Sequence, residues 1–361
     1  MRRASHGART IPRLTSGRAV SARQKLHPKC SRGRVANGRP MRVVIRTHVL
    51  APQFEALAAR HGVESVAVGD TETMHRELAD ADALWTWPAF YDAELVSLLE
   101  RHAPRLRWVQ LPTMGYDPVE LHGVPPGVAV TSAGDAYAPT VAEHAVAMLL
   151  ALVRHIPEAV RNSAEGKWDQ SKAVRIGTLH GATVAVIGFG NIGREIAARL
   201  RGFGARVVGV TRSGRADPLA DEAASSDQLL DVLARSDAAV LAVPLNAQTR
   251  HLIDARALAV LRPHALVINI ARGGVVDHDA LRDALAEGRL GGAGLDVTEP
   301  EPLPADDPLW TMPNVLITPH VAGYGGDVAP RRIMALFERN LANFTAGRPL
   351  EAVVPVEPRA R

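Results

Sequence analysis

From Met41 onward, two hydrophobic periods alternate along the chain. Short apolar runs bounded by turn residues read as buried strands: MRVVIRTHVL, VESVAV, DALWTW and LRWVQLPTMG. Between them lie segments such as PQFEALAARHG, whose apolar residues recur three and four apart and read as helices. Strands separated by helices predict a parallel sheet covered on both faces. A longer helix is predicted over APTVAEHAVAMLLALVRHIP, with Pro139 at its start and Pro157 at its end. After a polar connection containing Trp168 the alternation resumes at ATVAVIGFGNIGREIAARL. Five further strand-like runs follow: ARVVGV, SDAAVLAVP, HALVINIARGG, GGAGLDV and NVLITPH. The last helical pattern, APRRIMALFERNLANFTAG, comes after the glycine-rich AGYGGD.

Composition narrows the class. The 361 residues are 47% hydrophobic and 22% charged, as in a soluble globular protein of two ordinary domains. No apolar run reaches eighteen residues, so no membrane partner is expected. The single cysteine, Cys30, leaves no intrachain disulfide and suits a reducing cytoplasm.

The net charge of +4 is unevenly spread. Residues 1–40 hold 11 Arg or Lys and no acid, so the remainder carries 31 basic against 38 acidic residues. The body is mildly acidic and no nucleic-acid partner is expected. The tail, with no apolar core of a secretory signal, resembles an organellar transit peptide. Two other readings stand beside it: upstream sequence read from too early a start, with Met41 the natural beginning, or a functional basic arm. All three predict disorder there.

Within VAVIGFGNIGREIAARL, Gly188, Gly190 and Gly193 make a G-x-G-x-x-G turn between a strand and an amphipathic helix, the context of a dinucleotide site. Gly188 permits the tight turn, Gly190 lets pyrophosphate approach the backbone, and Gly193 lets helix and strand pack closely. The helix N-terminus, with the amides of Asn191 and Ile192, then receives the phosphate charge. The next strand should end in an acid that bonds the ribose of NAD. This chain instead runs GVTRSGR, with Thr211, Arg212, Ser213 and Arg215. Threonine does not repel a 2′-phosphate, and guanidinium groups bind one well. NADP, as NADPH, is the favoured cofactor, and NAD the alternative.

Three later strands end in polar residues of catalytic type: Arg272 in NIARGG, Glu301 in LDVTEPEPLP and His320 in TPH. Ligands of doubly wound sheets bind at the carboxyl ends of strands, where these residues can converge.

Taken together, VAVIGFGNIG, VINIARGGVVD, GLDVTEPEPLP and NVLITPHVAG resemble the D-isomer-specific 2-hydroxyacid dehydrogenase family. The resemblance spans roughly 85–355 and is strongest from Gly181 to Gly323. It implies two doubly wound parallel-sheet α/β domains around a cleft: a flavodoxin-like substrate domain (41–136 plus 323–361) and a Rossmann dinucleotide-binding domain (137–322). It also implies that Arg272 holds the carboxylate and 2-oxo oxygen of a small 2-oxo or 2-hydroxy acid. His320 exchanges a proton with that oxygen, and Glu301, at the family's EP position rather than Glu299, orients His320 and favours its protonated form. Asp296 binds the nicotinamide carboxamide, and no metal is required.

The same resemblance places the amides of Met114 and Gly115, in QLPTMGYD, at the substrate carboxylate. AYAPTVAEHAVAML matches an interdomain helix that usually builds a homodimer, in which Glu143 and His144 read as structural. WTWP, with Trp87, resembles the Trp-Pro segment of some glyoxylate/hydroxypyruvate reductases. The loop after Val243 and Pro244, in contact with cofactor in the family, carries Asn246 where threonine is usual, and Met114 replaces a small residue.

The implied activity is an NADPH-dependent glyoxylate/hydroxypyruvate-type reductase. Phosphoglycerate dehydrogenase is disfavoured because WTWP offers no cation for a phosphate and little chain follows the last helix. Formate dehydrogenases carry Gln where Glu301 stands. A dinucleotide-sensing corepressor of the same fold is the non-enzymatic alternative.

Overall fold

The computed structural model describes residues 38–171 and 173–355. The basic tail, apart from its last three residues, lies outside them. Five strands form the first sheet: β1 (Arg42–Arg46), β2 (Glu64–Ala67), β3 (Ala83–Thr86), β4 (Trp108–Gln110) and β5 (Ala129–Thr131). Their order is β2-β1-β3-β4-β5, all parallel, the flavodoxin-like arrangement. Seven strands form the second: β6 (Thr183–Ile187), β7 (Arg206–Thr211), β8 (Glu222–Ser225), β9 (Ala238–Leu241), β10 (Leu266–Asn269), β11 (Gly292–Leu295) and β12 (Val315–Ile317). The order β12-β11-β10-β9-β6-β7-β8 is again wholly parallel, with its reversal beside β6. Strand order reverses there because β6 feeds β7 on one side while β9 takes the other, which opens a crevice at their carboxyl ends.

The helices are α1 (Ala51–Arg60), α2 (Thr71–Leu78), α3 (Ala93–His102), α4 (Asp117–His122), α5 (Ala138–Val153), α6 (Ile156–Ala164), α7 (Asn191–Gly202), α8 (Leu229–Ala234), α9 (Ala255–Val260), α10 (His278–Ala286) and α11 (Val328–Thr345). They cover both faces of each sheet, so the central strands are buried along their length, as parallel strands must be. One face of the first sheet buries Trp85 and Trp108 against Phe54 of α1 and Phe337 of α11, with Phe54 and Phe337 stacked at 4.3 Å. The last helix therefore packs on the first sheet although it follows the second in sequence. The long, apolar α5 lies against the second sheet through Val141, Ala145, Met148 and Leu149. Among the described residues no helix is long and apolar enough to cross a membrane.

Two details differ from the sequence reading. The helix expected to run to Pro157 ends at Val153. His155 adopts φ 53°, and Pro157 stands in the first turn of a separate helix, α6. Proline is well suited to that position because its missing N–H has no helical partner there. The strands β5 and β8 gave no hydrophobic signal of their own: one has three residues, and the other is a polar edge strand, EAAS.

Candidate active site

The dinucleotide turn occupies residues 188–190, between β6 and α7. Gly188 has φ +95°, and a Cβ there would overlap the carbonyl of Ala242 and crowd Val243. A Cβ on Gly193 would overlap the Gly188 carbonyl, so helix and turn touch backbone to backbone. Gly190 differs: a Cβ there would meet nothing within 4 Å, and its backbone borders open space. The amides of Asn191 and Ile192 donate to no group among the described residues. Open space, unpaired amides and the positive end of a helix fit a pyrophosphate. Val243 and Pro244 follow β9, and Val243 lies against this turn. In the same loop the Asn246 side chain accepts from the amides of Gln248 (2.9 Å) and Thr249 (3.2 Å), closing the turn itself.

Thr211 ends β7. Its hydroxyl accepts from the Arg215 amide at 3.2 Å, and Ser213 bridges to Ser225, so the loop carrying Arg212 and Arg215 is tied at both ends. Both arginines are exposed, and neither pairs with a carboxylate among the described residues. Asp217, the next acid along the chain, is held by Arg194 and by the Leu219 amide at 3.0 Å. Its charge is therefore already compensated.

The strand ends of β10, β11 and β12 lead to the residues of catalytic type. Glu301 Oε1 lies 2.6 Å from His320 Nδ1, with both side chains about half exposed. Glu299 turns away to Arg250, at 3.0 and 3.1 Å. The two acids of EPEP are thus separated by their partners. His320 has φ 53°, and its amide donates to the Asp296 carbonyl at 2.8 Å. Asp296 is buried at 2% exposure. Its carboxylate accepts from the amides of Val321 (2.9 Å) and Ala322 (3.0 Å) and from the Thr318 hydroxyl (2.7 Å). That carboxylate holds the loop on which His320 is mounted. His144, from α5, reaches Thr318 at 2.9 Å, and Glu143 meets Arg199 at 3.3 Å.

Arg272 follows β10. A Cβ on Gly273 would overlap the Thr298 carbonyl, so the turn after Arg272 packs directly on the loop leading to Glu301.

The facing wall comes from the first sheet. After β4, Ala133 donates to Thr113 O (2.7 Å) and the Thr113 hydroxyl to Gly115 O (2.8 Å). The Tyr137 hydroxyl donates to Pro112 O at 2.9 Å, and burial pushes its pKa up to about 12, so it stays a donor. Among the described residues the amides of Met114 and Gly115 make no hydrogen bond. A Cβ on Gly115 would overlap Arg272 Nη2: the arginine lies directly on the glycine turn, across the cleft. Trp87, just past β3, packs beside His48 (ring centroids 5.0 Å) near Phe90. The structure thus joins Arg272 to Gly115 and Glu301 to His320. Two residues the sequence reading passed over also belong here, Asp117 and Thr318. Asp117 sits at the start of α4, where an acid reads as a helix-dipole partner.

The sequence profile described as "D-isomer specific 2-hydroxyacid dehydrogenase, NAD binding domain" matches residues 146–322. Glyoxylate reductase of Pyrococcus furiosus is 35% identical over 283 residues, covering 76% of this chain and 83% of the relative. The chain belongs to the D-isomer-specific 2-hydroxyacid dehydrogenase family. Its relatives within that family differ in activity. D-3-phosphoglycerate dehydrogenase of Methanocaldococcus jannaschii is 34% identical over 268 residues, 72% of this chain but 49% of that protein. Among solved 2-hydroxyacid dehydrogenase-like structures, the NADPH-dependent glyoxylate/hydroxypyruvate reductase of Sinorhizobium meliloti, in complex with NADP and sulfate, superposes with a TM-score of 0.75. It is 29% identical, over 87% of this chain and 98% of its own.

Proposed function

We propose that this chain is an NADPH-dependent reductase of small 2-oxo acids, of the glyoxylate/hydroxypyruvate type, yielding D-2-hydroxy acids. The observation that carries the reading is Arg272 lying on the Gly115 turn, at neighbouring strand ends to the Glu301–His320 pair. Arg272 and the unpaired amides of Met114 and Gly115 bind the substrate carboxylate. His320 delivers a proton from Nε2 to the 2-oxo oxygen, while Glu301 accepts from Nδ1 and fixes the ring. When bound, the nicotinamide dinucleotide supplies the hydride for the reacting carbon. Its pyrophosphate is held at Gly188–Gly193 and its 2′-phosphate at Arg212 and Arg215. Asp296 holds the His320 loop beneath the nicotinamide position. Residues 41–136 with 323–361 serve the substrate, and 137–322 the cofactor.

The relatives support the substrate class: a glyoxylate reductase by sequence and a glyoxylate/hydroxypyruvate reductase by structure. The reading also takes the chain as a homodimer. Ile156, Val160, Trp168, Val174 and Ile176 are all exposed within one short stretch after α5, apolar surface that a second copy would cover.

The test is a panel of glyoxylate, hydroxypyruvate, pyruvate and 3-phosphohydroxypyruvate against NADPH and NADH. The highest kcat/KM is expected for NADPH with one of the first two. Reduction only of the phosphorylated acid with NADH would favour the phosphoglycerate dehydrogenase reading. Cofactor binding with no reduction at all would favour a sensing protein.

A further inference from the structure

We propose that Asp117 is a positioning residue for this reaction, holding Arg272 across the cleft so that one edge of its guanidinium is left for the substrate. Asp117 opens α4, two residues beyond Gly115, whereas Arg272 follows β10 of the other sheet. The two groups pair two-pronged: Arg272 Nη2 donates to Asp117 Oδ2 at 3.0 Å and Nε to Oδ1 at 3.3 Å. Arg272 Nη1 donates to the Ala271 carbonyl at 2.7 Å.

The geometry of the arginine decides what this pairing does. A guanidinium carries five N–H bonds in a fixed plane. Asp117 takes the side formed by Nε–H and one Nη2–H, and Ala271 takes one Nη1–H. One Nη1–H and one Nη2–H remain for a ligand at the end of the group. That pair suits a carboxylate, or a carboxylate oxygen and its neighbouring 2-oxo oxygen, bound two-pronged. Asp117 and the substrate therefore use different edges of one cation and do not compete. Gly115 completes the arrangement, because any side chain there would displace Nη2. The pair is partly exposed, with Asp117 at 47% and Arg272 at 32%. Its role is therefore directional more than a contribution to stability.

This inference rests on the reductase reading, and the experiment separates the two. Steady-state kinetics of wild type, Asp117→Asn, Asp117→Ala and Glu120→Gln would be run with the best acid of the panel. Oxamate inhibition and cofactor binding would be measured alongside. Asn keeps an acceptor but loses the charge, so KM should rise roughly 5- to 20-fold, with a larger rise for Ala. The oxamate inhibition constant should rise by the same factor, with cofactor affinity and melting temperature unchanged. Glu120→Gln removes the same charge from an exposed position of the same helix without touching Arg272, and should behave as wild type. An unchanged KM in both Asp117 variants, or a lowered one showing that Asp117 occupies the substrate's place, overturns the inference while leaving the reductase standing. A wild type that reduces no 2-oxo acid overturns both.

Discussion

His320 holds a left-handed backbone, and this determines which substitution tests it cleanly. Asparagine tolerates that conformation better than other side chains of similar size. His320→Asn should therefore keep the loop and remove only the proposed proton donor, lowering turnover by about two to four orders of magnitude. Cofactor affinity, measured by titration, should be unchanged; near-normal turnover would refute the assignment. Thr211 and Arg212 set the second prediction at this scale. Losing a charge-assisted hydrogen bond to phosphate costs about 1.5–3 kcal/mol, so Arg212→Ala should weaken NADPH roughly 10- to 150-fold and leave NADH nearly untouched. Thr211→Asp should tend to reverse the preference. The kcat/KM ratio of the two cofactors decides, and an unchanged ratio in Arg212→Ala would make that residue a solvated charge only. Much of this site was legible in the sequence, because Arg272, Glu301 and His320 each stand where an apolar strand gives way to polar chemistry. Asp117 was not legible, since nothing in GYDPVEL says that its carboxylate meets a guanidinium some 155 residues away. Nor could the sequence show that the Asp296 carboxylate faces the amides of Val321 and Ala322.

At the level of elements, the three glycines of the turn make separable demands. A methyl group on Gly193 would strike the Gly188 carbonyl, so Gly193→Ala should force α7 off β6 and lower the melting temperature measurably. A methyl on Gly190 meets open space, so Gly190→Ala should melt like wild type yet bind NADPH less tightly. Equal loss of stability in both variants would show that the space at Gly190 is not reserved for a ligand. Strands were readable wherever burial on both faces made them continuous apolar runs. The edge strand β8 was not, because half of its surroundings are solvent. The break after α5 escaped for a similar reason: AVAMLLALVRHIP keeps its helical period through His155, and only the backbone turn at that residue divides it. The strand β1 was read from MRVVIRTHVL, but what fastens its start was not legible. Arg39, upstream of Met41, makes a two-pronged pair with the buried Asp82, which also accepts from the Arg42 amide at 3.0 Å. A chain begun at Met41 should fold but melt lower, and adding back Arg39 and Pro40 should restore the difference; identical melting curves would discount the pair.

For the whole molecule, the exposed side chains of Ile156, Val160, Trp168, Val174 and Ile176 predict association. Sedimentation should show a dimer at micromolar concentration, and replacing Trp168 and Val174 with glutamate should shift it toward monomer. A wild type that sediments as a monomer would remove the homodimer from the proposal. The cleft bears on motion, because the chain passes between the sheets twice and both passages are fastened. Arg332 pairs with Asp135 at 2.7 Å, and the Thr140 hydroxyl donates to Gly323 O at 3.2 Å. Near the C-terminus the chain returns to the first sheet, where Val354 donates to Val130 O at 3.0 Å. The dinucleotide turn, the Thr211 loop, Arg272, Glu301 and His320 therefore fall in one unbroken run of codons between two adjacent seams. Trp87, Gly115 and Asp117 lie outside it. On the proposed roles, recombination between relatives at those seams would carry cofactor choice and proton chemistry across as a single cassette, while the substrate wall stays with the recipient. The two halves of the proposed specificity would then be inherited separately, provided the recipient's Asp117 meets an arginine on the incoming piece.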